Sequence, residues 1–201
     1  MEFAVPMRCI YVDNDEHLYL TNDYIVTHNT LMLVVAALEA LEKGRFERII
    51  WVRNNVQVKD TDPLGALPGD AYEKLLPYLG PMADHVGGAD GIRMLVDSGK
   101  LEVIPLAHLR GRSIRNSIII SSEAENLTKE HIQLLTGRVD EGSNLWMDAD
   151  LKQRDKAIFE KSQGIEKAIA GWKGEPLFGY VHLVQVERSA TARLADKLDE
   201  V

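Results

Sequence analysis

The sequence predicts an open α/β fold, in which a mostly parallel sheet carries helices on both faces and follows a short β-rich segment. Apolar runs of strand length, such as RIIWVR at 48–53 and SIII at 117–120, are continuous rather than alternating. Such runs are typical of strands that are buried on both faces. They alternate with longer stretches of helical composition, which is the order in which a parallel sheet is built.

The predicted elements follow one another from residue 31 onward. Residues 31–43 are rich in Leu, Ala and Glu and end at Gly44, which predicts a helix and its C-terminal stop. Gly87-Gly88 predicts a turn. Further helices are predicted at 70–79, 128–135, 151–170 and 190–199. Strands are predicted at 48–53, 101–107, 117–120, 144–147 and 180–186. The predicted core consists of apolar strand residues: Ile49, Ile50, Val52, Val103, Ile104, Ile118, Ile119 and Ile120.

Length and composition set broad limits on the class of protein. A chain of 201 residues can form one domain of ordinary size and a small appendage. The net charge of −8 argues against a broadly basic nucleic-acid platform, although a local basic groove stays open. A single Cys excludes an internal disulfide framework, and the sequence has no apolar run that could span a membrane. We therefore expect a cytoplasmic protein.

The first 29 residues predict a distinct β unit with a reactive end. The segment CIYVDNDEHLYLTNDYIVTHN predicts three short strands joined by tight turns, and it closes on His28-Asn29 before Thr30. An Asn carboxamide can attack its own backbone carbonyl, close a succinimide and break the following peptide bond, while the neighbouring imidazole transfers a proton. The Thr30 hydroxyl would be the nucleophile for an acyl group brought from elsewhere. The three residues alone would equally suit a helix N-cap.

With its strands, turns and closing residues in this order, the segment resembles the C-terminal end of an intein, a self-excising protein element. The resemblance implies that Asn29 cyclises, that His28 assists it and that Thr30 is the first residue of the flanking host protein. We expect residues 1–29 to be the C-terminal splicing segment of a split intein, or else a truncated remnant of an intein. Its N-terminal half would then be carried by a partner polypeptide, together with the missing part of the host.

Polar side chains follow the predicted strands at the edge where an open α/β sheet holds its ligand. Arg53 follows the first strand, Ser122 and Glu123 follow the third, and Asp148 and Asp150 follow the fourth. Acidic groups near Arg residues suit a site for phosphate and Mg²⁺. Other polar residues near these strand ends are Asn54, Arg110, Arg112, Gln153 and Arg188. The sequence therefore predicts a nucleotide site at this edge.

Several stretches of the later chain resemble the PhoH-like P-loop ATPases, relatives of the superfamily 1 helicase core. They include LGALPGD followed by EK and PYL, then RGRSIRNSIIISSEAENLT and WMDADLKQRD, and they cover residues 30–201 in the family's order. The resemblance implies ATP and Mg²⁺ as cofactors. It also implies a homo-oligomeric ring and RNA or single-stranded nucleic acid as partners.

The resemblance explains the abrupt start of the helix at Thr30. In this family a Gly-rich loop ends in Gly-Lys-Thr before that helix, and its backbone N–H groups and Lys hold phosphate. Here Asn29 stands in place of the Lys. We therefore expect the host domain to lack its phosphate-binding loop, which the partner would supply with a terminal Gly-Lys. Thr30 would act first as the splicing nucleophile and later as a Mg²⁺ ligand.

Residue roles carry over from the family at matching positions. Glu123 would position or activate the attacking water, Gln153 would sense the γ-phosphate, and Arg188 would be an arginine finger, which could serve a neighbouring subunit. Arg53 and Arg112 would lie near the nucleotide or the nucleic-acid path.

Three positions depart from the family pattern and leave two functions open. Ser122-Glu123 replaces an Asp-Glu pair, and a Ser hydroxyl can hold a Mg²⁺-bound water but brings no charge. Glu125 replaces a Gln, and the strand ending in Met147-Asp148-Ala149-Asp150 departs from Thr-Gly-Asp. One function is the precursor of a PhoH-like ATPase, related to helicases, that splicing completes. The other is a non-hydrolysing nucleotide- or RNA-binding or assembly protein that keeps a relic intein segment.

Overall fold

A computed structural model of the chain describes residues 29–53, 79–151 and 157–182. These residues belong to two compact units. One unit is Asn29–Ala168, and the described residues from Ile169 onward belong to the other. Within the first unit, four strands form one all-parallel sheet flanked by helices, so the predicted fold class is confirmed.

The described residues contain four strands and six α-helices. The strands are β1 (Arg48–Arg53), β2 (Leu101–Pro105), β3 (Ser117–Ser121) and β4 (Asn144–Met147). The helices are α1 (Asn29–Glu42), α2 (Gly80–Val86), α3 (Gly88–Asp97), α4 (Lys129–Thr136), α5 (Ala157–Ser162) and α6 (Gly164–Trp172). Short 3₁₀ helices lie at Leu106–Leu109 and Ala124–Asn126.

The order of the strands in the sheet is β2-β1-β3-β4. Trp51 of β1 pairs with Val103 on one side and with Ile120 on the other, and Ser121 of β3 pairs with Met147 of β4. The chain leaves β1 toward β2 at one edge and leaves β3 toward β4 at the other. The carboxyl ends of these strands therefore bound a crevice of the kind in which open α/β sheets bind ligands.

The core lies on both faces of the sheet, as continuous apolar strands require. On one face, alternate residues of β1 and β3 pack with α1, α2 and α3. The fully or nearly fully buried members of this cluster include Val34, Ala37, Ala40, Ile49, Trp51, Met82, Ile92, Ile118 and Ile120. On the opposite face, Ile50 and Ile119 are also completely buried. All the predicted core residues are buried except Val103, which is partly buried against the same cluster.

Of the predicted elements that lie in the described ranges, most are confirmed within a few residues. Helix α1 ends before Gly44, whose φ of 66° is in the left-handed region that a glycine adopts readily, as predicted for the helix stop. Strand β1 and strand β4 have their predicted bounds. Helix α4 is capped by Thr128, which accepts a hydrogen bond from the His131 N–H, while the Thr128 N–H donates to the His131 imidazole.

Three expectations were wrong in the described part. The region around the Gly87 turn contains two helices, α2 and α3, that were not predicted. The helix predicted at 151–170 is broken, because Gln163 has a φ of 48° between α5 and α6. The strand predicted at 101–107 ends at Pro105, and the chain continues as a 3₁₀ helix.

Other predicted elements lie wholly or largely outside the described residues. They are the three strands of the first 29 residues, the helix at 70–79 and the helix at 190–199. Of the strand predicted at 180–186, only Tyr180, Val181 and His182 are described, and they are not in a strand.

Candidate functional site

Three side chains from separate elements meet at the carboxyl ends of β3 and β4, and we refer to Thr30, Ser122 and Asp148 as the Thr30 cluster. Thr30 is in the first turn of α1, while Ser122 and Asp148 each follow their strand directly. Because Ser121 pairs with Met147, the next residues of the two strands emerge side by side. The Thr30 Oγ1 lies 2.9 Å from the Ser122 Oγ and donates to the Asp148 Oδ2 at 2.8 Å. The Ser122 Oγ donates to the same Oδ2 at 3.1 Å.

The two oxygens of the Asp148 carboxylate differ in their surroundings. Oδ2 accepts both hydroxyl groups, whereas Oδ1 is buried and has no hydrogen-bond partner within the described part of the chain. Burial raises the pKa of the Asp148 carboxyl above its ordinary value, and the hydrogen bonds from Thr30 and Ser122 act in the opposite direction. A buried carboxylate oxygen that accepts no hydrogen bond costs folding free energy unless a partner is provided.

The loop after β3 is bent into this position by Glu123. Its φ of 57° is in the left-handed region, which is uncommon for a residue other than glycine, and its side chain is exposed. This bend directs the Ala124 N–H to the Asp148 carbonyl oxygen, with a distance of 2.8 Å from N to O. Backbone strain of this kind is often found at functional sites.

Glu125 joins the same two loops through its side chain. It is 4% exposed, and its Oε2 accepts the Asp150 N–H at 3.0 Å. Desolvation raises the pKa of the Glu125 carboxyl to about 7 against the opposing effect of backbone hydrogen bonds, and the charges of Glu123 and Asp148 add to the rise. The strand ends that carry Ser122 and Asp148 are therefore tied together twice, by this bond and by the Ala124 N–H.

The Thr30 cluster is chemically suited to a hard divalent cation. Its donors are two hydroxyl oxygens and a carboxylate, and Mg²⁺ prefers oxygen ligands of this type. The buried Oδ1 of Asp148 adds a donor that the described side chains leave unused. Across the described ranges, no three His, Cys, Asp or Glu side chains gather where they could share a metal ion. Any cation in this part of the chain would thus depend on hydroxyl groups as well as on acids.

The structure brings some of the predicted site residues together. Thr30 and Ser122 are in direct contact, and Glu123 lies beside them in the loop after β3. Arg53 is the last residue of β1, so it also lies at the carboxyl ends of the strands. Asn29 is the first residue of α1. The other predicted residues, His28, Gln153 and Arg188, lie outside the described residues, and their roles remain predictions.

Arg112 is engaged elsewhere. Its guanidinium donates to both carboxylate oxygens of Glu102, at 2.8 and 3.2 Å, and Arg48 contacts the same carboxylate at 3.3 Å. Arg48 is the first residue of β1, so this group of charges lies toward the amino ends of the strands, opposite to the Thr30 cluster. The structure does not bring Arg112 into the cluster. Its role toward a nucleotide or nucleic acid remains a prediction.

Two residues of the site were not assigned a role from the sequence. Asp148 was noted only as one of several acidic groups at strand ends that together suit phosphate and Mg²⁺, without a role of its own, and Glu125 only as a departure from a family pattern. The hydrogen bonds of both depend on the register between β3 and β4, which the sequence does not give. The sequence feature that could have pointed to Asp148 is its position directly after a strand, where the chain departs from the family's Thr-Gly-Asp.

The fold and site together define an open α/β protein that gathers polar ligand groups at the carboxyl ends of a parallel sheet. Comparison with known proteins then gives the family. The PhoH-like protein family matches residues 26–198, and the chain belongs to this family. The resemblance seen in the sequence from Thr30 onward is thereby confirmed at the level of the family.

Individual relatives agree with this assignment. The chain is 32% identical over 177 residues to Protein PhoH2 of Mycolicibacterium smegmatis. The aligned region covers 87% of this chain and 40% of that protein. It is 35% identical over 184 residues to Protein PhoH2 of Bacillus subtilis, with 86% and 40% covered. It is 37% identical over 132 residues to a PhoH-like protein of Bacillus subtilis, with 64% and 41% covered. The chain thus spans only about two fifths of these relatives' length.

Among the described helices, none has the length and apolar character that crossing a membrane would require.

Proposed function

We propose that this chain is the precursor of a PhoH-like ATP-binding protein and that protein splicing at Thr30 completes its nucleotide site. The observation that carries the proposal is the position of the Thr30 hydroxyl. It lies in the first turn of α1, within 2.9 Å of Ser122 and 2.8 Å of Asp148, where a phosphate-bound cation would need it. The residues directly before it are His28 and Asn29 rather than a Gly-rich loop with a Lys.

The splicing step in this proposal uses three neighbouring residues. The Thr30 Oγ1 attacks the acyl group that the partner half carries as a thioester or ester on the Cys or Ser that begins its intein segment. The bond to that sulfur or oxygen breaks, the freed thiol or hydroxyl keeps the proton lost by Thr30, and the acyl group is left on Thr30 as an ester. The Asn29 carboxamide nitrogen then attacks the Asn29 carbonyl carbon, closes a succinimide and releases the Thr30 amino group, with His28 transferring the proton. That amino group displaces the ester oxygen, and a peptide bond to the incoming segment forms. The acyl group moves twice, and the hydroxyl is regenerated.

The regenerated hydroxyl would then serve the nucleotide site. A Gly-Lys at the end of the incoming segment would stand directly before Thr30, so that the phosphate loop and α1 become continuous. When bound, Mg²⁺ offsets charge on the nucleotide phosphates. Thr30, Ser122 and Asp148 would hold it, and Glu123 would position the water from its bend after β3.

The extent of the family match supports this division of the chain. The match begins at residue 26, so residues 1–25 are not covered by it. That boundary lies four residues before Thr30, close to the splice junction that the sequence predicts. The remaining parts of the proposal, a homo-oligomeric ring and an RNA or single-stranded nucleic-acid partner, rest on the family resemblance alone.

Mixing the chain with a polypeptide that ends its host portion in Gly-Lys and continues into the N-terminal intein half tests the proposal. Mass spectrometry should detect a ligated product that contains Thr30–Val201 and a released peptide that ends in the Asn29 succinimide. Asn29→Ala should block release of that peptide and let the branched ester accumulate. No ligated product from a partner half that demonstrably binds the chain would contradict the proposal.

Ser122 favours a second candidate function, a non-hydrolysing nucleotide- or RNA-binding or assembly protein. A hydroxyl brings no charge where the family pattern has an Asp, which would weaken cation binding and turnover. In this candidate the intein segment is a relic. A chain that stays unspliced, binds RNA and shows no ATP turnover after reconstitution would support it over an ATPase.

A further inference from the structure

We propose that Asp148 supplies to the divalent cation the negative charge that Ser122 lacks. The acid of this site then stands at the end of β4, whereas the family pattern has it at the end of β3. The inference rests on the proposed function, because the cation is the one that accompanies a nucleotide. It concerns a residue to which neither the sequence pattern nor the family match assigns a role.

The first argument is a count of protons in the Thr30 cluster. The Thr30 Oγ1, the Ser122 Oγ and the Asp148 Oδ2 form a triangle with sides of 2.9, 2.8 and 3.1 Å. Each side has the length of a hydrogen bond between oxygens. Two hydroxyl groups provide two protons, and an ionised carboxylate provides none. When Asp148 is ionised, one side of the triangle therefore brings lone pairs together without a proton between them.

A bound cation would remove this conflict. Oxygen ligands that are neighbours around Mg²⁺ at about 2.1 Å lie about 3.0 Å apart, which is the spacing of the three oxygens here. The three atoms could then all present lone pairs to one ion. The buried Oδ1 of Asp148, which has no hydrogen-bond partner in the described ranges, would face the same positive charge.

The second argument is the exchange of residue types between the two strand ends. In the family pattern an acid follows the third strand, and Thr-Gly-Asp follows the fourth. In this chain a hydroxyl residue, Ser122, follows β3, and an acid, Asp148, stands first in Asp148-Ala149-Asp150 after β4. The acid and the hydroxyl have exchanged strands, and the side chains remain in contact at 3.1 Å. The charge of the site is thereby kept although its position has changed.

The test uses the complete 201-residue chain and Mn²⁺ as a paramagnetic probe in place of Mg²⁺. In ¹H–¹⁵N NMR spectra, increasing amounts of Mn²⁺ should broaden the amide signals of Ser122, Glu123 and Asp148 before those of other acidic regions. Excess Mg²⁺ should reverse the broadening. Asp148→Asn keeps the size and an acceptor oxygen but removes the charge, and it should raise the Mn²⁺ concentration needed for the same broadening at least about tenfold.

Three further variants separate the role of the charge from folding. Asp97→Asn changes an exposed acid at the end of α3 and should leave the broadening at Ser122 unchanged. The double variant Ser122→Asp with Asp148→Thr returns the acid to β3, and it should bind Mn²⁺ within about threefold of the parent chain. Asp148→Thr alone should lose binding as Asp148→Asn does.

The inference is overturned if the parent chain shows no preferential broadening near Ser122 and Asp148, or if Asp148→Asn broadens like Asp97→Asn. Failure of the proposed function gives a different result. In that case Mn²⁺ still broadens these signals in the parent chain, and Asp148→Asn still weakens the effect, but the chain joined to a Gly-Lys segment binds no ATP.

Discussion

At the scale of single residues, the proposed function gives one hydroxyl group, that of Thr30, two chemical roles. This group would first attack an acyl carbon and later face a cation. One contact of this hydroxyl bears on both proposed roles. The Oγ1 of Thr30 donates to the Asp148 carboxylate at 2.8 Å, so a negatively charged acceptor lies where a proton would leave or a cation would bind.

Glu125 gives a prediction for the pH dependence of stability. Its pKa in the folded chain is about 7, above its ordinary value of 4.5, because burial disfavours the charged form. Between these two pH values the folded state holds a proton that the unfolded chain has released, so stability falls as the pH rises. Glu125→Gln cannot ionise, and its amide oxygen can still accept the Asp150 N–H. We expect it to be more stable than the parent by roughly 3 kcal/mol at about pH 8 and equal to it near pH 4.

Urea denaturation at several pH values measures this difference. Glu130→Gln is the control. Glu130 is exposed, and its pKa is lowered rather than raised, mainly by a hydrogen bond from its backbone. The control should still lose stability between pH 4.5 and about 7. If Glu125→Gln were less stable than the parent at about pH 8, the ionised carboxylate would be the favoured form, contrary to the prediction.

The site could be predicted only in part. Thr30 and Ser122 were both assigned to a Mg²⁺ site from the resemblance to the PhoH-like family, and the structure shows their side chains in contact. The role of Asp148 and of Glu125 could not be predicted in this way. Their contacts need the pairing of Ser121 with Met147 and the left-handed bend at Glu123, and neither follows from local sequence preferences.

At the scale of elements, the strands were easier to predict than the helices. The continuous apolar run of β1 has few alternatives other than a strand buried on both faces, and its bounds agreed with the prediction. Helices α2 and α3 were missed because Gly80, Pro81, Gly87, Gly88 and Gly91 occur within one short stretch, a composition typical of turns. Helix α3 instead gains its stability from tertiary packing, since Ile92 is fully buried in the core cluster.

Gly91 provides a test of that packing. A Cβ at this position would lie 1.5 Å from the Val86 carbonyl oxygen, and backbone atoms of α2 would have to move to make room. We expect Gly91→Ala to destabilise the chain by about 2–3 kcal/mol in urea denaturation, although Ala is the better helix former. Gly171→Ala in α6 is the matched control, with no atom within 4 Å of its Cβ, and should be neutral or stabilising by up to about 1 kcal/mol. Equal effects of the two changes would show that α2 and α3 do not pack as described.

The charges at the amino ends of the strands provide a second test at this scale. The pKa of Glu102 is lowered, and the largest cause is the hydrogen bond from Arg112. The pair therefore stabilises the chain above pH 4.5, and this stabilisation is lost as the pH falls through the pKa of Glu102 in the folded state. Both side chains are about one third exposed, which limits the gain. We expect Glu102→Gln and Arg112→Lys each to cost about 0.5–1 kcal/mol at neutral pH. The double variant should cost less than their sum.

A double-mutant cycle by urea denaturation measures this coupling. The same variants also decide between the two roles of Arg112. If Arg112→Lys left stability unchanged but weakened ATP binding by the joined protein, the role inferred from the family would replace the structural one.

At the scale of the whole molecule, the chain combines a family domain with a segment that the family does not cover. The match to the PhoH-like family spans residues 26–198, and the described part of this region has the parallel sheet that the family resemblance led us to expect. Residues 1–25 of the proposed splicing segment lie before this match, and residues 26–29 lie within it. In the proposed function the precursor is inactive toward nucleotides for a physical reason, because His28 and Asn29 provide neither the backbone cradle nor the Lys that phosphate needs.

Nucleotide binding before and after joining at Thr30 tests this central claim most directly. The complete chain and the product in which a Gly-rich segment ending in Gly-Lys is joined to Thr30 are titrated with a fluorescent ATP analogue and Mg²⁺. The precursor should show no saturable binding up to about 1 mM, and the joined protein should bind with a dissociation constant at least about tenfold lower. Equal binding by the two proteins, or no binding by a joined protein that is folded, would contradict the claim.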